Sequence, residues 1–144
     1  MSEALDPNAL ARRVAEHMFR NDRGAQTLGL ALLESRVGYA RVSMQVGAQM
    51  LNGHGIAHGG FVFALADTAF AYACNSRNER TVALQCSISF TTATHEGDEL
   101  IATAEERTVA SRTSTYDITI AREGKTVALF RGVAYRLRGK VIEA

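Results

Sequence analysis

A chain of 144 residues and 15.6 kDa, 47% hydrophobic and 22% charged, has the composition of one globular domain, 1–144, with material for a real core. Its 16 Lys and Arg against 15 Asp and Glu leave a formal charge of +1, which gives no footprint for nucleic acid or an anionic membrane. The two cysteines, Cys74 and Cys86, sit in apolar contexts outside any disulfide framework and read as buried thiols in a reducing, cytoplasmic compartment.

The chain opens MSEALDPNALARR, with acid early and no apolar run, which argues against a signal peptide. Asp6-Pro7 supplies an N-cap and a first helical residue, and Leu10, Val14 and Met18 then fall on one face of an amphipathic helix. Asn21-Asp22-Arg23-Gly24 ends it, so 1–24 is an N-terminal helical segment. Residues 28–33 read as a strand and Gly38 as a turn. Ala40, Val42, Met44 and Val46 then alternate with polar residues, the period of a half-buried strand. A Gly-rich loop over 47–55 carries Asn52.

From 59 to 75 the spacing predicts a helix without a polar face, buried on nearly all sides. Its apolar core is too short to span a membrane, and Asp67 lies inside it. Four strands follow at 81–92, 99–109, 113–122 and 126–137. The short breakers between them predict consecutive antiparallel hairpins. The fold class is therefore α+β, one antiparallel sheet wrapped around a long central helix.

The chemistry concentrates in NGHGIAHGGFVFALAD, residues 52–67. No Lys or Arg occurs from Asn52 to Ser76, so Asp67 has no local cation, and burial should raise its pKa toward that of a general base or nucleophile. The bland alternative is a carboxylate satisfied by the hydroxyl of Thr68. Gly59 and Gly60 follow His58 at the helix start, where free amides carry the positive end of the dipole and a bare Cα lets a carbonyl oxygen approach. That is an oxyanion-type arrangement. Gly59 and Asp67 are eight residues apart, about 12 Å along an axis rising roughly 1.5 Å per residue. Both must come within about 3 Å of the reacting atoms. A single chain does not supply that, so the spacing predicts a dimer with two shared sites.

His54 and His58 stand at i, i+4, but zinc needs a third ligand, and neither His17 nor His95 sits in a motif; no metal is expected. His58 is a positioning group or a histidine satisfied by local backbone. Asn52 holds a carbonyl or a water, or is simply turn chemistry. Among the arginines at element ends and turns, Arg77, Arg80, Arg107 and Arg112 are able to meet phosphates, though solvated surface positions are the blander reading.

The segments NGHGIAHGG, LADTAFAYACNSR, GDELIATAEE, YDITI and KTVALFRG, spread over 52–137, resemble the hotdog-fold acyl-CoA thioesterases, specifically the PaaI-like group of phenylacetate degradation. The resemblance implies a hotdog fold, a side-by-side dimer with a continuous sheet, and a homotetramer. It implies Asp67 as the acidic catalytic residue, Gly59 as the amide that polarises the thioester carbonyl, and Asn52 and His58 as polar residues lining the site. Gly60, Thr68 and Arg112 are the candidate substrate-binding residues. Where some relatives carry Ser or Thr on the strand after the helix, this chain reads TVALQCS, with Ala83 at the facing position. The implied reaction is hydrolysis of an aryl-acyl-CoA such as phenylacetyl-CoA, or a ring-hydroxylated form, without a cofactor. The rivals are a non-catalytic acyl-CoA binder or sensor and a hydratase or dehydratase of the same fold.

Overall fold

The computed structural model describes residues 5–144; residues 1–4, where the N-terminal segment begins, lie outside it. Helix α1 spans Pro7–Asn21, and the Asp6 carboxylate accepts from the amides of Asn8 and Ala9 at 3.1 Å each. Its inward face is Ala11, Val14 and Ala15, with Leu10 and Met18 only half-buried. The predicted stripe is thus rotated toward the alanines, which allow closer approach. Asp22 does not end the helical segment. It caps a short second helix, α2 (Arg23–Thr27), by accepting from the Ala25 amide at 3.0 Å. That extra turn and Gly29, at φ +68°, push the first strand later than 28–33, to β1 (Ala31–Arg36).

Strand β2 (Tyr39–Gln45) follows a turn in which Gly38 has φ +68° and donates its N–H to Ser76 Oγ at 2.8 Å. Helix α3 (Gly59–Cys74) crosses the face of the sheet, and β3 (Thr81–Phe90), β4 (Glu99–Val109), β5 (Thr113–Arg122) and β6 (Lys125–Arg136) complete it. All pairs are antiparallel, in the order β1-β2-β4-β5-β6-β3. The period of two is obeyed on the helix side. Ala40, Ala104, Ile118, Phe130 and Ile88 form one cross-strand row beneath α3, buried except for the half-buried Ile88.

The expectation of consecutive hairpins fails at one place. β3 pairs with β6, not β4. The strand stops at Phe90, and residues 91–98 cross the start of α3, where the Thr91 and Thr92 amides donate to Val127 O and the Ala57 amide donates to Thr94 O at 2.9 Å. Eight extended residues reach about 26 Å, and three strand spacings need only about 14 Å, so the crossing is unstrained. It is also longer than a tight hairpin loop.

The helix itself is less enclosed than its sequence suggests. Val62, Leu65, Ala66, Ala69, Phe70, Tyr72 and Ala73 are buried, but Phe63, Ala64, Asp67, Thr68, Ala71 and Cys74 form a half-buried stripe. Its end is fastened to the first residue of β3 by Asn75, which accepts from the Thr81 amide at 2.9 Å and donates to Thr81 O at 3.0 Å. β3 is a sheet edge with Val82, Leu84 and Phe90 exposed.

Gly132 on β6 lets the sheet approach the helix closely, since a Cβ there would stand 2.5 Å from Cε2 of the Phe70 ring. Phe70 is itself packed at 5.7 Å from the Tyr116 ring and 5.9 Å from Phe130, so it has little room to yield. Gly132→Ala should therefore lower stability by about 1–3 kcal/mol, the usual cost of overpacking. Urea denaturation checks this; an unchanged midpoint would show that the ring can move.

Candidate active site

The entrance loop is organised by Asn52. Its Oδ1 accepts from the amides of His54 at 2.9 Å and Ile56 at 3.3 Å, and its main chain exchanges bonds with Gly55 and Ile56. The carbonyl half of the amide thus holds the turn, while Nδ2 has no partner among the described residues and remains a donor. His58 is the N-cap of α3 and gives no side-chain cap. Its N–H donates to Met50 O at 2.8 Å, and its ring is exposed, edge-on to Phe61 at 6.3 Å. The Gly59 and Gly60 N–H groups have no backbone acceptor among the described residues, as expected for a first helical turn.

Asn52 and Gly59 line one cleft of about 380 Å³, together with Ile56, Val62, Phe90 and Val127. The remaining wall is the crossing segment, 91–94. The ring of Phe90 lies on the bare Cα of Gly59, where a Cβ would stand 2.7 Å from Cζ. Phe90 and segment 91–94 were not candidates on sequence grounds. Phe90 carried a signal, as an aromatic in phase with the inward positions of its strand; the threonines carried none.

Asp67 does not line that cleft. It lies two turns along α3, half-buried on the stripe that the sheet leaves open. No hydrogen bond or ion pair to its carboxylate is formed among the described residues. Burial first, and the negative charge of Asp22 second, hold its carboxyl above the usual carboxylate range. The Thr68 hydroxyl does not satisfy it. That group donates back to Ala64 O at 2.7 Å, which removes the bland account of Asp67. The Asp67 charge in turn adds to the burial that pushes up Cys86 on β3 and, to about 12, Cys74. Neither thiol is poised as a nucleophile.

The other candidates are scattered. Gly60 is exposed and lies outside the cleft. Arg112 sits in the β4–β5 turn beside Cys74 and Arg136, at the opposite end of α3 from Gly59. His54 is exposed, and among the described residues no three His, Cys, Asp or Glu side chains converge as a metal site would need. No described helix is long and apolar enough to cross a membrane.

An antiparallel sheet curled round one apolar helix and left open along one edge is the hotdog architecture. The thioesterase superfamily profile matches residues 54–129, from the entrance loop into β6. The chain is 48% identical over 128 residues to the acyl-coenzyme A thioesterase PaaI of Escherichia coli, covering 88% of this chain and 91% of that one. The E. coli PaaI structure, from the phenylacetic acid degradation operon, superposes with a TM-score of 0.92 at 46% identity, covering 94% and 99% of the two chains. A Streptococcus mutans protein solved with acetyl CoA bound is similar at a TM-score of 0.73 and 26% identity, covering 77% and 90%. The chain belongs to the thioesterase superfamily. Within it, this is a PaaI-like enzyme.

The raised pKa of Asp67 fixes a sign. A carboxyl whose folded pKa lies above its unfolded value favours the fold when neutral, so its contribution is complete below the unfolded pKa and is lost as pH rises through the folded one. Asp67→Asn imitates the neutral form. It should melt above the parent at pH 7, with the difference shrinking toward pH 3; a variant that melts below the parent at neutral pH would refute the account.

Proposed function

We propose that the chain hydrolyses aryl-acyl-CoA thioesters, such as phenylacetyl-CoA or its ring-hydroxylated forms, to free acid and CoA in the cytoplasm. The reaction takes place at sites shared between two copies of the chain, and the dimers pair into a homotetramer. The observation that carries the reading is the division of the chemistry along α3. A free amide lies at Gly59 beside an apolar cleft, and an unpartnered carboxylate lies about 12 Å further on, outside that cleft.

The open edge supports the second copy. Val82, Leu84 and Phe90 leave 46%, 61% and 54% of their surface exposed on an unpaired strand, a liability that pairing with another β3 removes. Gly59 touches Phe90, while the Asp67 charge is felt at Cys86, four positions back on the same strand. A two-fold axis near Ile88 sets Phe90 of one copy against Cys86 of the other. Gly59 and Asp67 of the partner subunit then meet. In the shared site the Gly59 N–H, helped by Asn52 Nδ2, takes the developing oxyanion. Asp67 removes a proton from water as it adds to the carbonyl, or attacks the carbonyl itself. The C–S bond breaks and CoA leaves as thiolate, a leaving group that needs no strong general acid. His58 positions the entrance, and Gly60 and Thr68 border the substrate.

Arg112 belongs to a cationic group. The Arg136 N–H donates to Arg112 O and the Leu137 N–H to Arg80 O, and Arg138 and Lys140 follow in the chain. Arg77 and Arg136 are paired with Glu106 and Glu79, whereas Arg80, Arg112, Arg138 and Lys140 have no carboxylate among the described residues. In the antiparallel dimer this end of β3 runs beside the partner's 91–94 rim, where the CoA phosphates emerge.

Thiol release from phenylacetyl-CoA tests the chemistry. Asp67→Ala and Asp67→Asn should each lower kcat by about 10²–10⁴-fold, the usual worth of a general base. Parent-like kcat in both removes Asp67 from the mechanism, and binding without turnover in the parent identifies a sensor instead. Gly59→Pro and Asp67→Asn chains, each inactive, should regain partial activity on mixing; no recovery despite proven subunit exchange rules out the shared site. Arg80→Ala with Arg112→Ala should raise KM for CoA esters several-fold and leave N-acetylcysteamine thioesters unaffected.

A further inference from the structure

Phe90 is unusual among the side chains around the cleft. It ends an open strand with 54% of its surface exposed, yet its ring is seated on the Cα of Gly59, which has no Cβ to obstruct it. The ring atoms Cζ, Cε2 and Cε1 lie 2.7, 3.1 and 3.2 Å from the position a Gly59 Cβ would take. The rest of the cleft is held by main-chain bonds: Thr91 and Thr92 amides to Val127 O at 2.9 and 3.1 Å, and the Ala57 amide to Thr94 O at 2.9 Å. One wall is therefore a flat side chain on a single pair of torsions, and the crossing segment beside it is fixed by its backbone. The surfaces that face it, Ile56, Val62 and Val127, are aliphatic.

We infer that Phe90 is the specificity-determining wall of the acyl pocket, selecting flat aromatic acyl groups over long aliphatic ones. The inference rests on the reading above that Gly59 N–H receives the thioester oxygen. With the carbonyl held there, the group next to it lies against the Phe90 face. An aryl ring stacks offset or edge-on against that face and gains more than its buried area alone provides. A long alkyl chain has no such gain and must displace the ring to extend past it.

The test is a selectivity ratio. For the parent, Phe90→Ala, Phe90→Leu and Phe90→Tyr, kcat/KM is measured on phenylacetyl-CoA, hexanoyl-CoA and dodecanoyl-CoA. Phe90→Ala and Phe90→Leu should lower the phenylacetyl-to-dodecanoyl ratio by about tenfold, the size of one lost aromatic pair together with the relief of a block. Phe90→Tyr should retain it. Loosening of the subunit contact by these changes would depress all esters together and leave the ratio untouched, so the ratio isolates the pocket. An active parent whose ratio is unchanged in Phe90→Ala and Phe90→Leu overturns the inference and leaves the thioesterase reading standing. An even loss on all three esters leaves the ratio unchanged and overturns the inference in the same way. A parent inactive on every ester overturns the site reading, and the inference with it.

Discussion

The structure depends on covering a helix that has almost no polar face. Helix α3 buries seven of its side chains against β2, β4, β5 and β6, and each of those strands offers only alternate residues to it. Six strands of one chain are not enough to close around it. A stripe from Phe63 to Cys74 stays half-covered, and the edge beside that stripe, β3, carries its own exposed apolar side chains. The uncovered stripe and the unpaired edge share one geometric cause. Asp67 lies on that stripe. A carboxylate one residue earlier, at the buried Ala66, would point into the packed core, where ionisation costs several kcal/mol.

The surroundings of Asp67 keep it unpaired. Arg77, which follows the helix, is bound by Glu106 through two bonds of 2.6 and 2.9 Å, and the Tyr116 hydroxyl donates to the same carboxylate. On the outer face, Arg107 and Arg131 are both held by Asp117. Behind the helix stands a second carboxylate. Asp22 caps α2 and accepts from the Tyr72 hydroxyl at 2.9 Å, so two bonds hold it in place. Its charge acts on Asp67 in the same direction as burial does. Tyr72, pushed well up by burial and by that acceptor, stays a neutral donor. Arg77, Arg107 and Arg131 are thus neutralised elsewhere, while one anion is kept close.

Much of this was legible in the sequence, because local periodicity reports directly on which face is buried. Ala40, Val42, Met44 and Val46 are 0–1% exposed, as their alternation required, and the limits of α3, β4 and β5 agree with expectation to within a residue. The pairing of strands was not legible. A period of two says which side chains face the helix but not which strand lies alongside, so a breaker at 95–98 looked like a hairpin turn. The offset of β1 came from a second cap by Asp22, which competed with the stop signal at Gly24. Asp67 and Gly59 stood out because an unpaired acid and a double glycine break local rules. Arg112 broke none, and only the fold shows that it sits at the far end of the helix.

The misjudged connection is also what makes the cleft. Had residues 81–92 paired with 99–109 through a short turn, β3 would stand inside the sheet and its end would be tied back at once to β4. Instead β3 lies at the edge, and the chain must cross the mouth of α3 to reach the other side of the sheet. In crossing, it gives carbonyl Thr94 to the Ala57 amide and lays 91–94 opposite Gly59. The same topology that leaves an edge strand unpaired also builds a wall against the helix start. A hairpin order would lose both, with Gly59 facing open solvent and Asp67 left without an edge beside it. The position of β3 therefore decides where the cleft lies and which strand stands unpaired at the sheet edge.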